Sequence, residues 1–147
     1  MRTALLSVYN KAGIIDFAKD LISLDFKILA SGGTAKHLTD AGVPVEDVAN
    51  LIGARLPDGQ GGAILGHRVV TLSREVHAGL LAKDNAEDRK ELKNLRIPFI
   101  DLVCVDLYPL EDEIKNPKAT RESVIEKTDI GGPAMLRSGA KGGRITI

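Results

Sequence analysis

The turn Ser31-Gly32-Gly33-Thr34 is the clearest anion site in this chain. Two glycines let backbone N–H groups converge, a helix starting there adds its positive end, and the two hydroxyls add donors. Ser7 and Lys11 follow an earlier apolar segment and lie beside the turn if the two segments neighbour each other in a parallel sheet. The spacing is neither a Walker loop nor a GxGxxG fingerprint, so it suits a phosphate monoester rather than ATP or a dinucleotide. Taken alone, a Gly-Gly-Thr turn is about as compatible with an ordinary turn.

A second constellation joins Asp106-Leu107-Tyr108-Pro109, Asp129-Ile130-Gly131-Gly132-Pro133 and Lys141. A phenol, a carboxylate and an ammonium around one pocket can move protons or stabilise an oxyanion. Spacing alone favours a plainer role, with Asp129 capping the turn before a helix and Lys141 a solvated cation at its end. His37, His67 and His77 are too dispersed for a metal site, and a structural hydrogen bond is the expected role of His77. The single cysteine, Cys104, sits in the apolar run Ile100–Val105 and reads as a small core residue.

The elements that must position these groups are legible from periodicity. Ala4–Val8 and Phe26–Ala30 read as strands, and Gly13–Leu24 repeats its apolar residues at three and four, as an amphipathic helix does. A short helix follows around Ala35–Asp40, ended by Gly42 and Pro44, and Val43–Val48 is a candidate third strand. Leu51–His67 is glycine-rich and reads as a mobile loop, after which periodicity resumes at Arg68–Leu72. Asn85–Leu95 is helical. Ile100–Val105 is continuous enough to be a strand covered on both faces. Glu111–Lys127 is helix-prone but interrupted by Pro117; a last helix follows Gly131-Gly132-Pro133, and Arg144–Ile147 is strand-like. Strands alternating with helices predict an α/β fold, three layers around a mostly parallel sheet, with ligands at the carboxyl ends of the strands.

Composition narrows the partners. Twenty basic and twenty acidic residues cancel, which removes any global field for nucleic acid or anionic lipid. Only 3% of residues are aromatic, and none lies among clustered basic residues, so a stacking platform for single strands is not expected. No window approaches the roughly 20 apolar residues of a membrane span, and no signal peptide is evident, so the expected location is the cytoplasm.

These blocks together resemble the cyclohydrolase half of the bifunctional purine-biosynthesis enzymes, which join inosine monophosphate cyclohydrolase to a formyltransferase. The similarity runs through Leu5-Leu6-Ser7-Val8 with Lys11 and Gly13, Ser31-Gly32-Gly33-Thr34-Ala35, Arg68-Val69 with Thr71-Leu72, and His77 with Gly79. It continues through Asp101-Leu102-Val103, Leu107-Tyr108-Pro109, Asp129-Ile130-Gly131-Gly132-Pro133, Met135-Leu136-Arg137 and Ala140-Lys141. The resemblance implies the methylglyoxal-synthase-like fold and a dehydrative ring closure of 5-formamidoimidazole-4-carboxamide ribonucleotide to IMP. It implies Tyr108, Asp129 and Lys141 as catalytic residues. Ser7, Lys11, Ser31, Gly32, Gly33, Thr34, Arg68, Thr71, Asp106, Leu107, Ile130 and Gly131 would bind substrate. No metal or organic cofactor is implied. The partner is a small phosphorylated imidazole or purine nucleotide, not nucleic acid or membrane, with a homodimer left open.

The chain departs from that pattern at several points. Val70 stands where the family carries a lysine expected to be catalytic, and a valine cannot donate a proton. Ser73-Arg74-Glu75 replaces His-Pro-Lys, Asp106 replaces an asparagine, Ala30 a serine, and Gly142-Gly143 an Asn-His pair. The family's domain continues for roughly a quarter of its length further, so residues 1–147 are expected to form one cyclohydrolase-like domain lacking its end and the formyltransferase. Two other readings share the fold: a methylglyoxal-synthase-like lyase and a non-catalytic nucleotide-sensing module.

Overall fold

In β1 (Arg2–Ser7), Ala4 and Leu6 point to one face of the sheet and Leu5 to the other, and all three are fully buried. The computed structural model describes residues 1–53, 62–66 and 68–147. After β1 come α1 (Ile14–Ser23), β2 (Phe26–Ala30), α2 (Gly32–Asp40), β3 (Glu46–Asp47) and α3 (Val48–Gly53). Then follow α4 (Arg74–Leu81), α5 (Ala86–Leu95), β4 (Leu102–Val105), α6 (Leu110–Lys115), α7 (Arg121–Glu126), α8 (Gly131–Lys141) and β5 (Ile145–Thr146).

The five strands form one all-parallel sheet in the order β3-β2-β1-β4-β5. The period-2 alternation of strand side chains divides the interior into two cores. Ala4, Leu6, Ile28, Ala30 and Leu102 pack against Ile14, Ala18 and Leu21 of α1 and Ala35 and Leu38 of α2. On the opposite face Leu5, Leu29, Val103 and Val105 pack against Val76 and Leu80 of α4 and Met135 of α8. Helices therefore cover both faces, which is the three-layer α/β arrangement expected. The Ile100–Val105 run is covered on both sides, though its strand begins only at Leu102. Cys104 is half-buried against the first core, and burial pushes its thiol up from the ordinary value.

Local chemistry sets the boundaries. The Ser73 hydroxyl accepts from Val76 N at 3.1 Å to start α4, and Asn85 accepts from Asp88 N at 2.8 Å to start α5. Thr120 and Ser123 form a reciprocal capping box on α7. The polar stretch around Pro117 resolves into α6 and α7, separated where the proline prevents continuation.

Several expectations differ from the structure. Val43–Val48 contributes only the two-residue β3, because Val43 turns inward to the first core and Val48 starts a helix instead. The loop expected over Leu51–His67 begins inside α3; residues 54–61 and His67 lie outside the described residues. Arg68–Leu72, where periodicity resumes, joins no strand of the sheet; its one ladder contact is an isolated antiparallel bridge between Ile64 and Val69. α2 also begins earlier than expected, at Gly32, so both glycines belong to its first turn. Among the described residues no helix is long and apolar enough to cross a membrane.

Candidate active site

The order in which strands are added reverses at β1, whose neighbours β2 and β4 are reached by crossovers leading opposite ways. Parallel sheets leave a crevice at such a switch point, outside the carboxyl ends of the strands. A cavity of about 940 Å³ opens there. Its lining includes Ser7, Lys11, Ser31, Gly32, Gly33 and Thr34 on one side, and Asp106, Tyr108, Asp129, Ile130 and Gly131 on another. Arg68, Val70 and Thr71 come from the segment before α4. The anion turn and the part of the second constellation formed by Asp106, Tyr108, Asp129, Ile130 and Gly131 therefore share one cavity.

At the anion-suited end, the Ser7 and Ser31 hydroxyls are 2.7 Å apart. One proton makes that bond, which leaves the other free for a ligand. Gly32 sits at φ +27°, a conformation a side chain would strain, and it opens the first turn of α2. The amides of Gly32 and Gly33 precede the first donor bonded back to Ser31 O, Thr34 N, so the helix end presents donors and positive potential to the cavity. Lys11 bends back over its own loop, donating to Val8 O and, at 3.3 Å, to Tyr9 O. Burial lowers its pKa from the ordinary value, against an opposing pull from Asp106.

Two residues have a different part from the one expected. Thr34 is only 2% exposed, and its hydroxyl donates to Val8 O and accepts from Val8 N, both at 3.1 Å. Its single proton is thus committed to the backbone, and it ties α2 to the end of β1. Asp106 accepts from Asn10 N at 2.9 Å and also from Tyr9 N. Its carboxylate shapes the loop that carries Lys11. Neither role can be seen in spacing, because each joins segments far apart in the chain.

At the other end Asp129 Oδ1 accepts from Gly132 N at 2.8 Å, and Oδ2 faces Tyr108 N at 3.4 Å. The plainer reading of Asp129 as a cap therefore holds, yet the same carboxylate also lines the cavity. The paired glycines allow this closeness. A Cβ on Gly132 would stand 2.9 Å from Asp129 Oδ2 and 2.7 Å from Leu107 Cδ2, and one on Gly131 would stand 2.4 Å from Thr71 Oγ1. Tyr108 is 47% exposed at the cavity edge, edge-to-face with Tyr9.

Leu107 and Lys141 do not line the cavity. Leu107 packs toward Gly132, whereas Lys141 ends α8 and is exposed. Lys141 lies ten residue steps along α8 from Gly131, about 15 Å of rise, which takes it away from the end of α8 that faces the cavity. Tyr9, Lys36, Asp47 and Glu126 line the cavity but were not singled out in the sequence. Tyr9 could have been found, since it lies within the Ser7–Lys11 segment that the strand-end rule selects. His77 Nδ1 is 2.8 Å from Ser138 Oγ, joining α4 to α8, which is the structural bond expected of it. Among the described residues no group of His, Cys, Asp and Glu is placed to hold a metal ion.

Sheet order, crevice and donor set define a doubly wound α/β domain with a cavity suited to a small phosphorylated molecule. A family model described as an MGS-like domain matches residues 13–134, and the chain belongs to that family. The bifunctional purine biosynthesis protein PurH of Trichodesmium erythraeum is 50% identical over 142 residues, 95% of this chain and 26% of that protein. PurH of Oenococcus oeni is 46% identical over 148 residues, covering 100% of this chain and 28% of its own length. The chain thus spans about a quarter of the length of these curated relatives. A solved structure titled "Crystal structure of ForH" aligns with a TM-score of 0.76 at 36% identity, over 99% of this chain and 73% of that one. The motif resemblance and the methylglyoxal-synthase-like fold are both borne out.

Proposed function

We propose that residues 1–147 act as one IMP cyclohydrolase domain of cytoplasmic purine biosynthesis, closing the formylated imidazole carboxamide ribonucleotide to IMP. The observation that carries this reading is the single cavity joining the α2 anion end to Tyr108 and Asp129. The phosphate sits against Ser7, Lys11, Ser31 and the first-turn amides of α2. The carboxamide nitrogen attacks the formyl carbon, Asp129 accepts the proton that nitrogen loses, and Tyr108 donates to the former formyl oxygen. Collapse of the tetrahedral adduct then expels water: Asp129 returns its proton to the departing hydroxyl, and the formamide N–H passes its proton to the Tyr108 phenolate as the C=N bond forms. Holding both reacting groups on one nucleotide makes the step intramolecular, so positioning supplies much of the rate. Lys141 does not line this cavity and is given no part in the mechanism. A homodimer of the domain is compatible with this mechanism and is not required by it.

The test is a cyclisation assay on the formylated nucleotide, paired with calorimetric binding of IMP. Asp129→Asn keeps the cap acceptor for Gly132 N but cannot take a proton. It should lower turnover by about 10²-fold or more while IMP affinity changes little. Unchanged turnover in Asp129→Asn overturns the mechanism. A second reading, a nucleotide-sensing module, is favoured by Val70, which lines the cavity without a proton to give. IMP binding with no turnover in the unaltered protein selects that reading.

A further inference from the structure

Lys127 follows the last turn of α7, two residues before Asp129. Its ammonium lies 4.9 Å from the centroid of the Tyr9 ring and 5.8 Å from that of Tyr108. The two rings meet at 89° with centroids 5.7 Å apart. Among the described residues Lys127 makes no ion pair, so the ring faces are what its charge is set against.

Tyr9 and Tyr108 sit on different loops, after β1 and after β4, and each is nearly half exposed. An exposed ring on a loop samples several rotamers unless something holds it. Edge-to-face contact orients one ring against the other, and a cation reaching both ring faces links them to a third segment. That third segment is itself fixed. The capping box starts α7, and Ser123 Oγ donates to Glu113 Oε1 at 2.5 Å, joining α7 to α6. The backbone that carries Lys127 runs on directly to Asp129, whose carboxylate faces Tyr108 N at 3.4 Å.

We propose that Lys127 is a positioning residue for Tyr108, holding the Tyr9–Tyr108 pair so that the phenol stays over the cavity beside Asp129. The inference rests on the cyclohydrolase reading for its kinetic consequence but not for its geometry. Lys127 need not touch the substrate, and it is absent from the cavity lining.

Lys127→Met keeps the apolar stem and removes the charge, whereas Lys127→Arg keeps a cation able to stack on rings. In the cyclisation assay Lys127→Met should lower kcat by about two- to five-fold, the scale of an exposed cation–π contact. KM should stay within about twofold, and Lys127→Arg should restore kcat. A KM rise with kcat unchanged overturns the proposal, as does full activity in Lys127→Met. Proton NMR reads the clamp without activity. The Lys127 ε-methylene protons should be shifted upfield by ring current, and Tyr9–Tyr108 ring contacts should weaken in Lys127→Met. Ordinary ε-methylene shifts in the unaltered protein, or ring contacts unchanged in Lys127→Met, overturn the clamp. If the unaltered protein does not turn over while the upfield shift is present, the cyclohydrolase reading fails and the clamp stands.

Discussion

Replacing Thr34 by valine keeps the shape of the side chain and removes one buried hydroxyl. In the structure that hydroxyl is the hydrogen-bond acceptor for Val8 N and a donor to Val8 O, both at 3.1 Å, with the residue 2% exposed. The orphaned amide of Val8 costs about 1–3 kcal/mol. Val8 O keeps a donor in Lys11 Nζ, so its loss is that of one ordinary bond, about 0.5–1.5 kcal/mol. The added buried methyl offsets about 0.8 kcal/mol. The expected destabilisation is about 2 kcal/mol, a fall in Tm of about 4–8 °C for a chain of this size. Urea unfolding measures it directly, and Thr34→Ser, which keeps the hydroxyl, should lose clearly less. Phosphate or IMP affinity should drop in Thr34→Val only as far as the α2 turn shifts. Stability within about 0.5 kcal/mol of the unaltered protein would refute the hydrogen-bond argument. Full stability with a large loss of affinity would return the hydroxyl to the ligand.

Two further outcomes follow from packing and protonation. Gly142→Ala should destabilise severely, on the order of 3 kcal/mol or more by urea unfolding, because a Cβ there would lie 1.9 Å from the Leu80 carbonyl oxygen. Burial lowers the pKa of His77 from its ordinary 6.5, and its buried Nε2 has no partner among the described residues. The folded state therefore binds fewer protons than the unfolded chain. Its stability contribution is complete above about pH 6.5 and is lost as the pH falls through the lowered value. Urea midpoints between pH 7.5 and 5.5 should fall more steeply in the unaltered protein than in His77→Gln; parallel slopes would contradict the assignment.

Much of this protein is written in short-range pattern. The apolar spacing of Ile14, Ala18 and Leu21 determines α1, the run Phe26–Ala30 determines β2, and the Asn85 cap with Glu87 and Asp88 in the first turn determines α5. Strand–helix alternation is enough for the fold class, and the strand-end rule is enough to select Ser7–Lys11, Ser31–Thr34, Asp106–Tyr108 and Asp129–Pro133 as cavity segments. These signals are local, so they survive without knowledge of the neighbours.

The assignments that needed tertiary structure are those in which a side chain meets a partner distant in sequence. Glu75 is buried in α4, which makes that helix poorly amphipathic to the eye, and α4 is defined by packing on α8 and the sheet. Arg68–Leu72 resumes an apolar pattern, but the five-stranded sheet does not include it, and its one ladder contact is the isolated bridge of Val69 to Ile64. The sequence put Thr34 in the anion turn, and Asp106 and Lys141 in a second constellation. Only the fold committed Thr34 to Val8, turned Asp106 to the amides of Tyr9 and Asn10, and left Lys141 out of the cavity lining. Lys127 carries no motif at all, and its place over two rings exists only because β1, β4 and α7 converge there. Periodicity reports which face of an element is buried; which atoms a polar side chain meets is decided by three-dimensional closure of segments 26 to 97 residues apart in the chain.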